Sequence, residues 1–380
     1  MSVCIFFFGL ILIFVVFEHN KLPSAQTGIL EQRSKIMKKL FQYMCKCFIA
    51  AVISLIVLSL FSAVYFNPPI ATQQPDGITN FKYIPDSKWS YMLEGFGKGK
   101  TDDTGYNNAY YSDCSNPDIV FAGSSHLEAL QVPENANCVY LLNEMFDKDN
   151  VDTNNFKCFN LGMSGHFFEA TSSNYEYIAK KFNGAKYVVI EMFDAKYSPD
   201  VLDQIIENEF HEPMEKKGFV YETLQKFPFF RLMYKKINET TSVKNVPVSA
   251  DGSSSVNKEF EMNVYVEKMN TILAEITKIS EENNIVPIIL MHERFWVNEE
   301  GNIIMEMDES YKEAFKMCCE TNGLNVIDVS SNMVDEYEEK HLFSYGFSNS
   351  APGEGHLNQT GHRIVAETVY KYINEMEELR

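Results

Sequence analysis

Three polar side chains, Ser124, Ser125 and His126, follow directly on a buried-looking apolar run in "IVFAGSSHLEAL" (119–130). Gly123 accounts for a tight turn there but not for two hydroxyls at the end of a strand. A serine hydroxyl becomes a useful nucleophile when a base takes its proton and donors hold the oxyanion that forms. Candidates for those roles lie in three distant stretches. "NLGMSGH" (160–166) offers the amide of Gly165 in a loop, with His166 beside it. "EMFDAKY" (191–197) offers Asp194, and "GEGHLNQTGH" (353–362) offers His356 just ahead of a helix. Each also has a structural reading. Ser125 can cap the following helix, with Glu128 completing a capping box. Gly162 and Gly165 can be ordinary loop glycines, and Asn358 suits the cap of the last helix. His126 reads as a pocket-wall residue, because neighbours on a helical turn point apart. His166 and His292 stand at strand ends from which a site can be lined.

These residues need a frame that gathers them. From residue 118 strands and helices alternate. Apolar runs at 118–123, 157–162, 185–193, 284–292 and 323–329 read as short buried strands. Amphipathic stretches at about 167–183, 256–283, 308–321 and 358–378 read as helices. The pattern predicts an α/β fold, a three-layer α/β/α sandwich with a flavodoxin-like parallel sheet covered on both faces. Ligands of such sheets bind outside the C-terminal ends of the strands, and Ser124, Ser125 and His126 fall at one such end. Residues 196–255 break the rhythm with aromatic runs such as "FPFFRLMY" and read as an insertion, a lid or a partner surface. Its aromatics at 219–234 suit a core more than a sugar platform. "SADGSSSVN" (249–257) reads as a plain loop.

With these blocks in this order, residues 115–380 resemble the SGNH (GDSL-like) esterase and acetylhydrolase superfamily. "FAGSS" is similar to the first block, with Ser125 as nucleophile and Ser124 in place of the usual Asp. "NLGMSG" is similar to the second, and "HLNQTGH" before an amphipathic helix to the last. The resemblance implies attack of Ser125 on an ester carbonyl, His356 as base, and Gly165 with the Ser125 amide as oxyanion donors. No metal or organic cofactor is implied. Two positions depart from the family pattern. The third block lacks its Asn and has the acidic Asp194 nearby. Gly353 stands where an Asp normally precedes the His by three residues; Glu354, the nearest carboxylate, either orients His356 or points along the turn to solvent and leaves a Ser–His dyad. The "GSS" variant behind an N-terminal anchor is similar to envelope proteins that work beside membrane-bound O-acyltransferases, as in teichoic acid D-alanylation and alginate acetylation. Acyl transfer to water or to a hydroxyl of a cell-surface glycan follows as the expected reaction. The competing expectation is a degenerate member that binds glycan or scaffolds such an acyltransferase. A third is a structural envelope protein that only presents the insertion.

The N-terminal part agrees with an envelope location. Residues 47–66, "CFIAAVISLIVLSLFSAVYF", carry no charge, and twenty residues at about 1.5 Å each span roughly the 30 Å hydrocarbon layer. Arg33, Lys35, Lys38, Lys39 and Lys46 precede them, which predicts a cytoplasmic segment at 1–46, an anchor at 47–66 and an extracytoplasmic remainder. The alternative is a signal peptide cleaved near "FSA". The shorter apolar run at 2–17 gives a two-pass variant with the same final topology, while Met37 reads as an alternative start. Residues 67–114, rich in Pro, Gly, Asp and Asn, read as a stalk or as an irregular lead-in that packs on the domain. The net charge is −19, and residues 1–66 hold six Lys/Arg and two Glu, leaving about −23 on the rest. So acidic a body repels nucleic acid. Cys114, Cys138, Cys158, Cys318 and Cys319 show no zinc spacing, and a disulfide such as Cys138–Cys158 stays open.

Overall fold

A computed structural model of the chain describes residues 27–73, 77–108, 116–148, 156–211, 218–242 and 255–379. The run at 2–17, Cys114 and most of the loop at 249–257 lie outside the described residues. The chain divides into two units, residues 1–58 and 59–380. Helix α1 (Thr27–Tyr65) begins in the first. Its stretch Ser34–Tyr65, with mean hydropathy 2.7, is the one helix among the described residues long and apolar enough to cross a membrane. The basic residues before 47 and the charge-free run after it belong to this same helix.

In the second unit, five strands form the central sheet: β6 (Ile119–Ala122), β7 (Cys158–Asn160), β8 (Tyr187–Met192), β9 (Val286–Met291) and β12 (Asn325–Asp328). Their order is β12-β9-β8-β6-β7, and every pairing is parallel. Each lies within one of the five apolar runs, because a strand covered on both faces has no solvent side to mark with polar residues. Alternate residues feed two separate cores. Val120, Val188, Ile190 and Ile289 enter one, with the helices α5 (Tyr175–Lys181), α9 (Ser255–Asn283) and α10 (Glu309–Thr321). Ile119, Tyr187, Val189, Ile288 and Leu290 enter the other, with α3 (Cys138–Lys148) and α12 (Gln359–Glu378). This is the three-layer α/β/α arrangement. Because β7 and β8 flank β6 on opposite sides, the chain reverses its winding there. A crevice opens at the C-terminal end of β6, where Ser125 follows.

Residues 66–108 are not a free stalk. They form the antiparallel sheet β1-β4-β5 (Phe66–Asn67, Lys88–Tyr91, Gly97–Lys100) and the hairpin β2-β3 (Ala71–Gln73, Phe81–Tyr83). Phe66, Tyr83, Trp89, Tyr91 and Tyr106 are buried in the first core. Aromatics of that size bury roughly 150–250 Å² each, so an extended stalk would leave a large apolar area in water. The expected helix at 167–183 is two, α4 (Phe168–Ser173) and α5, and α3 and α11 (Ser330–Lys340) add to the set. A hairpin of β10 (Phe295–Val297) and β11 (Ile303–Met305) follows β9. Within 196–255, α6 (Pro199–Ile206) buries Leu202 and Ile205 in the core, while α7 (Phe219–Leu224) and α8 (Pro228–Ser242) keep many apolar side chains exposed. Cys138 and Cys158 are buried free thiols, and burial pushes Cys138 up to about 12.

Candidate active site

The turn that presents Ser125 is set by three residues. After β6, Gly123 passes so close to Glu191 that a Cβ would lie 2.5 Å from the Glu191 Cβ. That closeness lets the Ser124 backbone N–H donate to Glu191 Oε2. Ser124, in extended backbone, then caps the four-residue helix α2 (Ser125–Glu128), its Oγ accepting from the His126 N–H at 3.2 Å. The cap is therefore Ser124, not Ser125. Ser125 is left half-buried with its hydroxyl free of capping, and as the first helical residue its N–H has no intrahelical acceptor.

His356 meets that hydroxyl, with Nε2 2.9 Å from Ser125 Oγ. Its Nδ1 lies 2.8 Å from Oε2 of Glu94, whose Oε1 accepts the His356 backbone N–H at 2.7 Å. Bound to a carboxylate, Nδ1 carries the proton, so Nε2 is the acceptor for the Ser125 hydroxyl. Glu354 does not take this role. It is exposed, and its own N–H turns back to the Ala351 carbonyl. The reason is steric as well as directional. Gly355 has φ +77°, and a Cβ there would stand 2.1 Å from Glu94 Oε1, so the chain between Glu354 and His356 is shaped around the incoming Glu94. Asn349 holds the Glu94 loop by accepting from Gly95 N–H at 2.8 Å and donating to the carbonyls of Met92 and Gly95.

Burial pushes the Glu94 pKa up, but the hydrogen bonds and charge of His356 outweigh it and hold the carboxyl below its ordinary value of 4.5. A carboxylate with a depressed folded value adds stability above its unfolded value and loses it as pH falls through the folded one. Glu94→Gln is therefore expected to melt below the parent at pH 7, with the gap closing as pH drops below about 4. Thermal melts from pH 7 to 3 check this; a gap that widens toward acid contradicts the assignment.

Glu128 ties the pieces together, and neither carboxylate oxygen caps its helix. Fully buried, it accepts from the Tyr83 hydroxyl of β3 and from the Ser164 hydroxyl of the loop that carries Gly165. Asn107 and Asn160 donate to the Glu128 and Leu127 carbonyls, and Asn108 brackets Asn160 from the lead-in. Gly165 itself is exposed with φ +81° and open space where a Cβ would be. His126 is buried against Phe193, its ring 5.2 Å from that of His356, and its Nδ1 accepts from the Leu357 N–H at 3.3 Å. Burial, then the neighbouring His292 and His356, keep it well below the usual imidazole range. His292 is wholly buried between Glu191 and the Tyr345 hydroxyl at 2.9 and 2.6 Å, bracing the turn that presents Ser125 through Glu191. His166 is not at the serine hydroxyl: its Nε2 accepts from Asn80 N–H at 2.6 Å, and burial lowers it to about 4. Asp194 is exposed and accepts from Lys196 N–H at 2.9 Å in its own turn. Asn358 caps α12 through the N–H groups of Thr360 and Gly361. Glu94 and Glu191 carry no spacing signal, and the capping-box spacing of Glu128 does not point to its bonds with Tyr83 and Ser164. The glycine directly before His356 was the sole local hint that another segment approaches there.

The α/β/α sandwich thus carries a Ser–His–Glu array at its winding reversal. No family model and no curated protein matches the chain. Solved structures to which it is similar include the psychrotrophic esterase EstA from Pseudoalteromonas sp., at 14% identity over 68% of this chain and 98% of that one, with a TM-score of 0.36. Others are an acetyl xylan esterase, AlAXEase, at 12% identity over 67% and 98% with a TM-score of 0.38, and a lipolytic protein of the G-D-S-L family from Veillonella parvula, at 13% identity over 67% and 96% with a TM-score of 0.32.

Proposed function

We propose that the chain is a membrane-anchored serine esterase or acyltransferase working on acyl esters of cell-envelope glycans. The observation that carries the chemistry is the alignment of Ser125 Oγ, His356 and Glu94 at 2.9 and 2.8 Å. His356 Nε2 takes the Ser125 proton as Oγ attacks the ester carbonyl, and Glu94 stabilises the imidazolium that results. The amides of Ser125 and Gly165 receive the oxyanion. On collapse, His356 returns the proton to the departing alcohol, leaving an acyl-serine that passes its acyl group to water or a glycan hydroxyl. No metal or organic cofactor enters. Anchorage by residues 47–66, with the second unit outside the cytoplasm, is supported by the charge-free run and the Lys residues on one side of it.

A second reading keeps the fold as a glycan-binding or acyltransferase-scaffolding module. It is favoured by the missing Asn after β8, where Asp194 turns away into its own loop. Membranes holding the full chain, treated with a fluorophosphonate, should give an adduct mapped to Ser125. Turnover of p-nitrophenyl acetate should vanish in Ser125→Ala. No adduct, with equal background turnover in both proteins, is the outcome that favours the binding module.

A further inference from the structure

The segment following α1 and the helices α7 and α8 enclose an apolar cavity of about 400 Å³, within the usual size of small-molecule sites. Phe66 and Pro69 line it from one side, and Leu224, Phe230 and Met233 from the other. We infer that it takes one acyl chain of an anionic membrane phospholipid, with α7 and α8 resting in the headgroup layer. The inference rests on anchorage by residues 47–66 and not on the ester chemistry.

Reach is the first argument. Pro68–Ala71 lie three to six residues beyond Tyr65, the last residue of α1, so a fully extended chain keeps this wall within roughly 20 Å of the span's end. The surface is the second. Phe219 (80% exposed) and Val220 (69%) stand out from α7, and Ile237 of α8 is 55% exposed. Charge is the third. Residues 218–237 carry Lys226, Arg231, Lys235 and Lys236 against Glu222 alone, in a chain of net charge −19. Apolar side chains interleaved with cations are what an element lying on an anionic bilayer needs. Arg231 lines the cavity, and its two terminal nitrogens hold the Pro68 carbonyl and the Asn67 side chain. Its buried Nε has no hydrogen-bond partner among the described residues, a donor left for a lipid oxygen. On the same wall Lys235 donates to the Tyr91 hydroxyl at the end of β4, three residues before Glu94 in the loop that follows, so a short stretch of chain joins the cavity wall to the Glu94 loop.

The full chain in phosphatidylcholine nanodiscs, doped with phosphatidylglycerol bearing a diazirine on one acyl chain, tests this by irradiation and peptide mapping. Adducts are expected at 66–71 and 219–237, several-fold stronger than with a phosphatidylcholine probe of the same chain. Leu224→Asp, at a partly exposed lining position, should lower those adducts about tenfold while those on residues 34–65 and the melting temperature stay as in the parent. Ile237→Asp serves as a second variant should the first fold poorly. Adducts confined to 34–65, or undiminished in both variants, overturn the inference, as does equal labelling by the two headgroups. Alkaline carbonate extraction of cell membranes reports anchorage separately, so a failed anchor and a failed lipid site give different results.

Discussion

Glu94→Gln is expected to lower ester turnover by about 10³–10⁴-fold, the loss seen when the orienting carboxylate of a serine triad is made neutral. That factor corresponds to roughly 4–5.5 kcal/mol of barrier. The amide keeps the shape but no longer favours the proton on Nδ1, nor does it stabilise the imidazolium. Glu354→Gln, an exposed change beside the same histidine, should leave turnover within about twofold. The pair discriminates because the two glutamates differ in geometry, not chemistry: one is 2.8 Å from Nδ1, and the other faces solvent. Steady-state kinetics on the full chain in membranes reads both variants. A loss in Glu354→Gln with Glu94→Gln near the parent would return the role to the last block.

Gly355→Ala should do nearly as much damage without touching a titratable group. A methyl at φ +77°, 2.1 Å from Glu94 Oε1, cannot coexist with the carboxylate in place. Either Glu94 leaves or the turn before His356 opens, and both separate the base from its partner. A loss of about 10²–10³-fold is expected, since a displacement of an ångström at a reacting centre already costs about two decades. Its signature is non-additivity: in a Glu94→Ala background, Gly355→Ala should cost less than about fivefold, because the clash has no partner left. Independent, multiplying losses in the double variant would show that the glycine serves the backbone alone.

The parallel sheet was legible because its strands are buried on both faces and leave unbroken apolar runs. Ser125 and His356 were legible because each sits at a junction between periodic elements. The lead-in was not, since its strands are two to four residues long, too short for alternation to stand out from the Pro, Gly and Asn around them. Glu94 was hidden for a stronger reason. Its partner lies 262 positions away, and no spacing rule links a loop after β4 to the turn before a terminal helix. Glu354 was the nearest carboxylate in number, but φ +77° at Gly355 turns the chain so that proximity in sequence gives none in space. The buried pair Glu191–His292 was missed in part, with His292 noted at a strand end and Glu191 read only as strand.

The lead-in also decides where this protein can be cut. A soluble version begun near residue 115, where the βα alternation starts, would omit Tyr83, Trp89 and Tyr91 from the core and Glu94 from His356. Such a fragment would be inert for want of a partner supplied upstream, and its silence would imitate a pseudoenzyme. Begun just after α1, at about residue 66, the same domain keeps the groups that Ser125 and His356 touch among the described residues.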